Sequence, residues 1–244
     1  MFQVSRTLLK ALLLLAINTA NAAQLDTGNI DSRIQTDLVL KRYVEAIGGR
    51  SAIERLTNRT FTGTETTDLT SRTQPLLEVH WFKACGDKSG RYAMEIVTDQ
   101  GSQRWGNDGV VNWAADKCGV HFESSSTNRL LAFLLNPQGA LQVEEYFPDL
   151  RFLGKRVAGG RKCYAFLPAG HDEAYYSLHF DIESGLLVQI GYFKQLKDYR
   201  SVDGVLFPHM VSSSRKGGST TYRFEDVLHN GEIDEDLFNV PEGP

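Results

Sequence analysis

Cysteine is scarce in this chain: Cys85, Cys118 and Cys163 are the only three. No CxxC pair occurs, and the spacings fit no structural zinc pattern. An odd count allows at most one intrachain disulfide and leaves one thiol over; which pair bridges, if any, is left open. Phosphate-binding signatures are missing as well. The glycine-rich stretch "AIGGRSAIERL" carries neither GxGxxG nor GxxxxGK[ST], and it follows a helical pattern rather than a strand, so its glycine pair reads as a helix stop. There is no GxSxG nucleophile elbow and no HExxH motif, which removes the commonest hydrolase and zinc-protease frameworks. Positive charge is not in excess either. With 26 basic against 30 acidic residues, the surface offers no electrostatic reason to expect nucleic acid or anionic headgroups as partners.

Long apolar runs are absent except near the start. Arg6 and Lys10, then "ALLLLAI" (Ala11 to Ile17), then the small residues Ala20 to Ala22 form the tripartite pattern of a secretory signal, expected to be cleaved after residue 22. The run is too short for a membrane span, which needs about 20 apolar residues. No cysteine follows the cleavage site, which disfavours a lipid anchor. Residues 23–36 read as a flexible leader and 37–244 as one domain. The exported chain is expected to be periplasmic, without a transmembrane span.

What is present is mainly alternation. Leu40, Tyr43, Val44 and Ile47 fall at helical spacing, with Thr36 or Asp37 as N-cap, Gly48-Gly49 as the stop, and Ser51 with Glu54 as the capping box of a second short helix. Strands are expected over Thr60–Thr67, Leu76–Ala84, Arg91–Thr98, Ser102–Trp105, Val110–Ala115, Arg151–Val157, Lys162–Leu167, Tyr175–Ile182, Leu186–Gln195, Asp198–Val202, Val205–Ser213 and Thr220–Val227. "DIESG" and "SVDGV" mark hairpin turns. Between the two groups of strands lies Ser126 to Phe147, whose Leu130–Leu135 core is apolar on most sides, and the tail "IDEDLF" suits a last turn. Short strands at regular spacing without a βαβ rhythm imply an antiparallel sheet that curls or half-closes as a barrel.

Chemistry-bearing groups are thin. His179 and Asp181 lie two apart on one strand, so they share a face and form a candidate acid–base or metal pair; a solvated strand face is the plainer reading. No catalytic residue, metal or cofactor is assigned. The apolar sets are more distinctive: Leu77, Val79 and Trp81; Tyr92, Met94 and Ile96; Val111 and Trp113; Tyr164 and Phe166; Tyr176, Leu178 and Phe180; Leu186, Val188 and Ile190. Together they would give a wide apolar concave face. That face is either a core plugged by the Leu130–Leu135 helix or the wall of a ligand cavity.

The stretches "VLKRYVEAIGGRSAIERLTNRTFTGT", "FLGKRVAGGRKCYAFL", "LHFDIESGLLVQI", "DYRSVDGVLFPHMV" and "EDVLHNGEIDEDLFNVP" resemble the LolA/LolB-like superfamily of periplasmic, outer-membrane lipoprotein-sorting proteins and their relatives, over most of residues 37–241. The resemblance implies an α+β fold: a strongly curved antiparallel sheet forming a half-open β-barrel, with helices covering its mouth and an apolar cavity that takes acyl chains or other hydrophobic cargo. Arg42 is the candidate for the chaperone's arginine that couples lid opening to release. The implied role is a carrier of a hydrophobic ligand or lipoprotein acyl chain. The alternatives are a biosynthetic enzyme using the same cavity, since the superfamily also holds a pigment-pathway enzyme, with His179, Asp181 or a tyrosine as proton shuttle, or an envelope sensor that binds a protein partner. Trp81, Tyr92, Met94, Trp113, Leu131, Leu134, Phe166 and Phe180 are the expected cavity-lining residues.

Overall fold

The computed structural model describes residues 32–69, 76–99, 101–123 and 129–242; the expected signal and the leader up to residue 31 lie outside them. The first helix, α1, spans 32–46. It buries Thr36, Val39, Tyr43 and Ile47, a stripe spaced by three and four residues. The helix starts before Thr36, so Thr36 is not its N-cap: its Oγ1 donates to the Ser32 carbonyl at 2.9 Å from inside the helix. Gly48 and Gly49 end α1 with φ of 132° and 83°. A Cβ on Gly48 would lie 2.3 Å from the Gly204 carbonyl oxygen. Glycine there lets the corner press against that turn, and the Leu206 amide donates to the Ile47 carbonyl at 2.7 Å.

The second helix, α2 (Arg50–Glu54), is entered through Gly49 with no side-chain cap, so the expected Ser51–Glu54 box does not form. The helix begins two residues earlier than that box requires, with Gly49 rather than Ser51 in the capping position. Ser51 therefore sits within the first turn, and Glu54 pairs with Arg50 at 3.2 Å.

Two antiparallel meanders follow. The first comprises β1 (Asn58–Leu69), β2 (Leu76–Asp87), β3 (Tyr92–Thr98), β4 (Gly101–Asn107), β5 (Asn112–Asp116) and β6 (Gly119–Glu123). Helix α3 (Arg129–Leu135), a 3-10 turn at Gly139–Leu141 and α4 (Val143–Tyr146) connect it to the second. That comprises β7 (Arg151–Ala158), β8 (Arg161–Leu167), the one-turn α5 (Glu173–Tyr176), β9 (Leu178–Asp181), β10 (Leu187–Ile190), β11 (Lys194–Val202), β12 (Val205–Arg215) and β13 (Gly218–His229). The last strand returns to β1, so both meanders merge into one 13-stranded sheet in the order β6-β5-β4-β3-β2-β1-β13-β12-β11-β10-β9-β8-β7.

The protein is thus α+β, a large antiparallel sheet with few helices. The strongly curved half-barrel expected from the sequence is met only in this coarser form. The sheet is open, because β6 and β7 are its outer strands and each pairs on one side alone. Two expected strands also divide. Tyr175–Ile182 becomes α5 and β9, and Leu186–Gln195 breaks at Gly191, whose amide donates to the Ser177 carbonyl at 2.7 Å. A side chain at Gly191 would strike the α5 carbonyls, 2.4 Å from that of Ala174.

One hydrophobic cluster joins both meanders to the helices. At its centre Phe61, Phe82, Phe207 and Phe224 from β1, β2, β12 and β13 hold ring centroids 4.7 to 6.0 Å apart. Such spacing gives edge-on and tilted contacts beyond simple burial. Helix α1 covers β9 through Tyr43 and Phe180, 5.3 Å apart. Helix α3 covers β2: a Cβ at Gly86 would sit 2.8 Å from Leu135 Cβ. All described helices fall short of the length and apolarity needed to cross a membrane.

Candidate functional site

Between α3, α5 and the helix-covered face of the sheet lies a cavity of about 580 Å³. The sheet contributes Met94 and Ile96 from β3, Trp105 from β4, and Phe224, Tyr222 and Thr220 from β13. The helix α3 contributes Arg129, Leu130, Leu131 and Leu134, and α5 contributes Tyr175 and Tyr176. Alternation decides which strand residues face inward. Along β1 and β13, Gly63 pairs with Phe224 and Glu65 with Tyr222, so both pairs point to the same side.

The cavity is graded from apolar to polar. Phe224, Met94 and Leu134 lie together at one end. The next cross-strand row holds Glu65, Tyr222 and Val211. The row beyond holds Thr220, Ser213 and Lys194. Burial, and then the adjacent Glu65 carboxylate, raise the Tyr222 phenol well above the ordinary tyrosine range. On the opposite wall Arg129 donates from Nη1 to His171 Nε2 at 2.8 Å and lies over the Tyr176 ring at 5.5 Å. Burial and the Arg129 charge lower the His171 pKa, which favours the neutral imidazole.

Of the residues expected from sequence, Met94, Leu131 and Leu134 line this cavity. Tyr92, Phe166 and Phe180 face the same side of the sheet but are packed in the core. The Tyr92 hydroxyl donates to Asn112 Oδ1 at 3.2 Å, and Phe166 meets Phe180 edge-on at 5.9 Å beside Tyr43. Trp81 and Trp113 do not line it, because they project from the opposite face. Trp81 is 61% exposed and pairs across β2 and β3 with Val97. Trp113 is fully buried under the tail: its Nε1 donates to the Phe238 carbonyl at 3.1 Å, at the end of the 3-10 turn Glu235–Phe238. The alternation in β2 is as expected, but the inward set is His80, Phe82 and Ala84 rather than Val79 and Trp81, since Phe82 is the residue facing Phe61 and Phe224.

The His179–Asp181 pair also faces away from the cavity, because Leu178 and Phe180 take the inward positions of β9. His179 Nε2 lies 3.0 Å from the Ser177 hydroxyl. Asp181 accepts from the Ser184 hydroxyl at 2.7 Å and from Arg161 Nη1 at 3.0 Å. Its carboxylate secures the β9–β10 turn. Cys85, Cys118 and Cys163 are unpaired, and burial pushes the Cys85 thiol up to about 11. Arg42 donates from Nη2 to the Glu183 carbonyl at 2.8 Å, tying α1 to the same turn, away from the cavity.

Sequence reasoning missed a buried cation. Arg59 of β1 donates from Nε to His229 Nε2 at 3.0 Å and from Nη1 to the Leu134 carbonyl at 2.6 Å, and it lies 4.5 Å over the Phe207 ring. Burial lowers its pKa to about 10, which leaves it charged at neutral pH. His229 Nδ1 lies 3.4 Å from Asp203 Oδ2. Nothing in "TNRTFTGT" marks Arg59 as buried except that it lies two residues before Phe61 and so shares its face of β1.

No family model matches the chain, and no curated protein does. Solved structures do. A DUF1329 family protein from Desulfovibrio piger matches with a TM-score of 0.55 at 12% identity, covering 83% of this chain and 96% of that one. A LolA superfamily protein from Nitrosomonas europaea matches with a TM-score of 0.52 at 11% identity, over 83% and 96%. The chain has the LolA-like fold. A protein from Vibrio parahaemolyticus assigned as an outer membrane lipoprotein-sorting domain gives a TM-score of 0.52 at 11% identity, over 82% and 95%. At such identity the LolA-like fold carries the architecture alone, and any activity must be argued from the site.

Proposed function

We propose that this protein binds or carries a hydrophobic ligand, a lipid or a lipoprotein acyl chain, in the cavity beneath α3. The observation that carries the reading is the graded cavity itself. Its volume of about 580 Å³ falls within the range of about 300–1,000 Å³ typical of pockets that hold one small ligand. Leucines of α3 face a sheet wall of Met94, Ile96 and Phe224, so a chain placed there buries apolar surface on both sides at roughly 25 cal/mol per Å² before ordering costs. Of the proton shuttles named for the enzyme alternative, His179 and Asp181 sit on the other face, whereas Tyr175, Tyr176 and Tyr222 line the cavity. We place the protein in the periplasm after removal of residues 1–22, with 37–244 acting as one ligand-binding unit. The lipoprotein-sorting assignment of the Vibrio parahaemolyticus structure is consistent with acyl cargo.

The test is to purify the protein without detergent, extract it with organic solvent, and measure native mass and binding of a fluorescent fatty acid. Wild type should release an apolar ligand or bind the probe. Leu131→Trp, which fills the cavity from the α3 side, should lose binding by at least about tenfold. A wild-type protein that carries no ligand and does not bind the probe would refute the reading.

A further inference from the structure

We infer that the ligand is a single-chain amphiphile with an anionic head group, its tail in the apolar half of the cavity and its head beside Arg129. This rests on the cavity being a ligand site, and it adds the chemistry of the head.

The first reason is the direction of the gradient. Leu134, Met94 and Phe224 surround one end, whereas Ser213, Thr220 and Lys194 form a polar row at the other. A wholly apolar molecule filling that volume would strip water from the hydroxyls and charged groups of that row, which costs free energy. An amphiphile avoids the cost by leaving its head at the polar row.

The second reason is charge. Among the described lining residues, Arg129 and Lys194 stand against one carboxylate, Glu65. That carboxylate stands beside the Tyr222 phenol, its partner across β1 and β13. Arg129 is met by the His171 ring nitrogen and the Tyr176 ring, and no described carboxylate lies within ion-pair distance of it. Held, among the described residues, by neutral groups at the wall of a cavity, this guanidinium retains donors in a planar fork that suits carboxylate or phosphate. In a partly enclosed site the attraction is less screened than on an open surface. A cationic head would meet two like charges there, and a neutral head would leave the fork unmatched.

The third reason is size. A volume of about 580 Å³ suits one chain-scale ligand rather than several chains side by side.

The experiment is titration calorimetry of the full exported chain with palmitate, lysophosphatidylglycerol, hexadecanol and hexadecyltrimethylammonium below their aggregation concentrations. Palmitate and the lysophospholipid distinguish carboxylate from phosphate heads; tighter binding of either supports an anionic head and names which. Each should bind at least about tenfold more tightly than hexadecanol, the scale of one charge-assisted hydrogen bond. The cationic chain should bind weakest. Arg129→Gln should lose the preference, weakening palmitate and the lysophospholipid at least about tenfold more than hexadecanol, while Arg129→Lys should retain most of it. Hexadecanol binding as tightly as both anions, or Arg129→Gln weakening all chains equally, overturns the head-group inference while leaving a hydrophobic site in place. Failure of every chain to bind removes the cavity reading itself, and this inference with it.

Discussion

Arg59 Nη1 donates to the main-chain carbonyl of Leu134 at 2.6 Å, so a charge rooted in the sheet holds the last turn of the helix that roofs the cavity. Carbonyls at a helix C-terminus have no partner within the helix, and a cation is favoured there. The same guanidinium reaches His229 on β13 and lies over Phe207 on β12, so α3, β1, β12 and β13 meet at one side chain.

Replacing Arg59 should therefore loosen α3 before it unfolds the sheet. Arg59→Leu keeps much of the volume but leaves the Leu134 carbonyl and His229 Nε2 without their donor, a loss of about 1–3 kcal/mol. Hydrogen exchange at the α3 amides should accelerate more than exchange at β12 and β13. Unchanged α3 protection together with unchanged stability would show that Arg59 is not a tie.

How much of this was legible beforehand depended on whether a signal was local. Gly48-Gly49 ended a helix as the sequence indicated, because positive φ is a property of the residue itself. Both hairpins marked by "DIESG" and "SVDGV" are present, for the same reason. The choice of inward face in β2 was not local. Val79-Trp81 and Phe82-Ala84 alternate equally well, and only the helices on one side separate them. Trp113 lies on the face away from the cavity yet is buried, since the tail crosses back to cover it. Tyr175 and Tyr176 looked like strand residues, but the Asp172 side chain accepts from the Ala174 amide at 2.8 Å and starts a helical turn that carries them to the cavity. Burial of Arg59 depended on contacts with residues 75 and 170 positions away, which no local pattern records.

The two corner glycines should respond unequally to alanine. At Gly49 the strain is confined to the backbone, whose φ of 83° and ψ of 157° is a conformation essentially reserved for glycine, with nothing within 4 Å of an added Cβ, so Gly49→Ala should cost about 1–3 kcal/mol. At Gly48 the same strain is joined by a Cβ placed 2.3 Å from the Gly204 carbonyl, beside the Ile47–Leu206 hydrogen bond. Gly48→Ala should be the more damaging by at least about 1 kcal/mol. Urea unfolding midpoints of the pair at matched slope measure the difference, and equal midpoints would mean that the corner does not bear on that turn.

Trp81 provides a control for ligand binding. It is exposed on the face opposite the cavity, so Trp81→Ser should leave fatty-acid affinity within about twofold of wild type and stability within about 0.5 kcal/mol. Leu134→Ala, by contrast, removes a buried residue from the cavity wall and should lower stability by about 2–5 kcal/mol. Calorimetric titration with palmitate and thermal melts of both variants give the comparison. Loss of binding in Trp81→Ser would move the ligand to the other face of the sheet.

Acid should weaken the fold through His229. Burial, and then the Arg59 charge, push its pKa down to about 4, with Asp203 opposing them. Arg59 reaches it from β1 and Asp203 from the β11–β12 turn. The unfolded value is about 6.5, so below that pH the unfolded chain takes up a proton that the folded protein does not. The contribution is fully present above about pH 6.5 and is lost as pH falls toward 4, by about 3 kcal/mol at that point. His179, lowered chiefly by burial, acts in the same direction. Denaturant unfolding at pH 7, 6, 5 and 4 should show stability falling with acid, and His229→Gln, whose carbonyl can still accept from Arg59 but does not titrate, should flatten the slope. An equal slope in wild type and His229→Gln would assign the acid sensitivity to other groups.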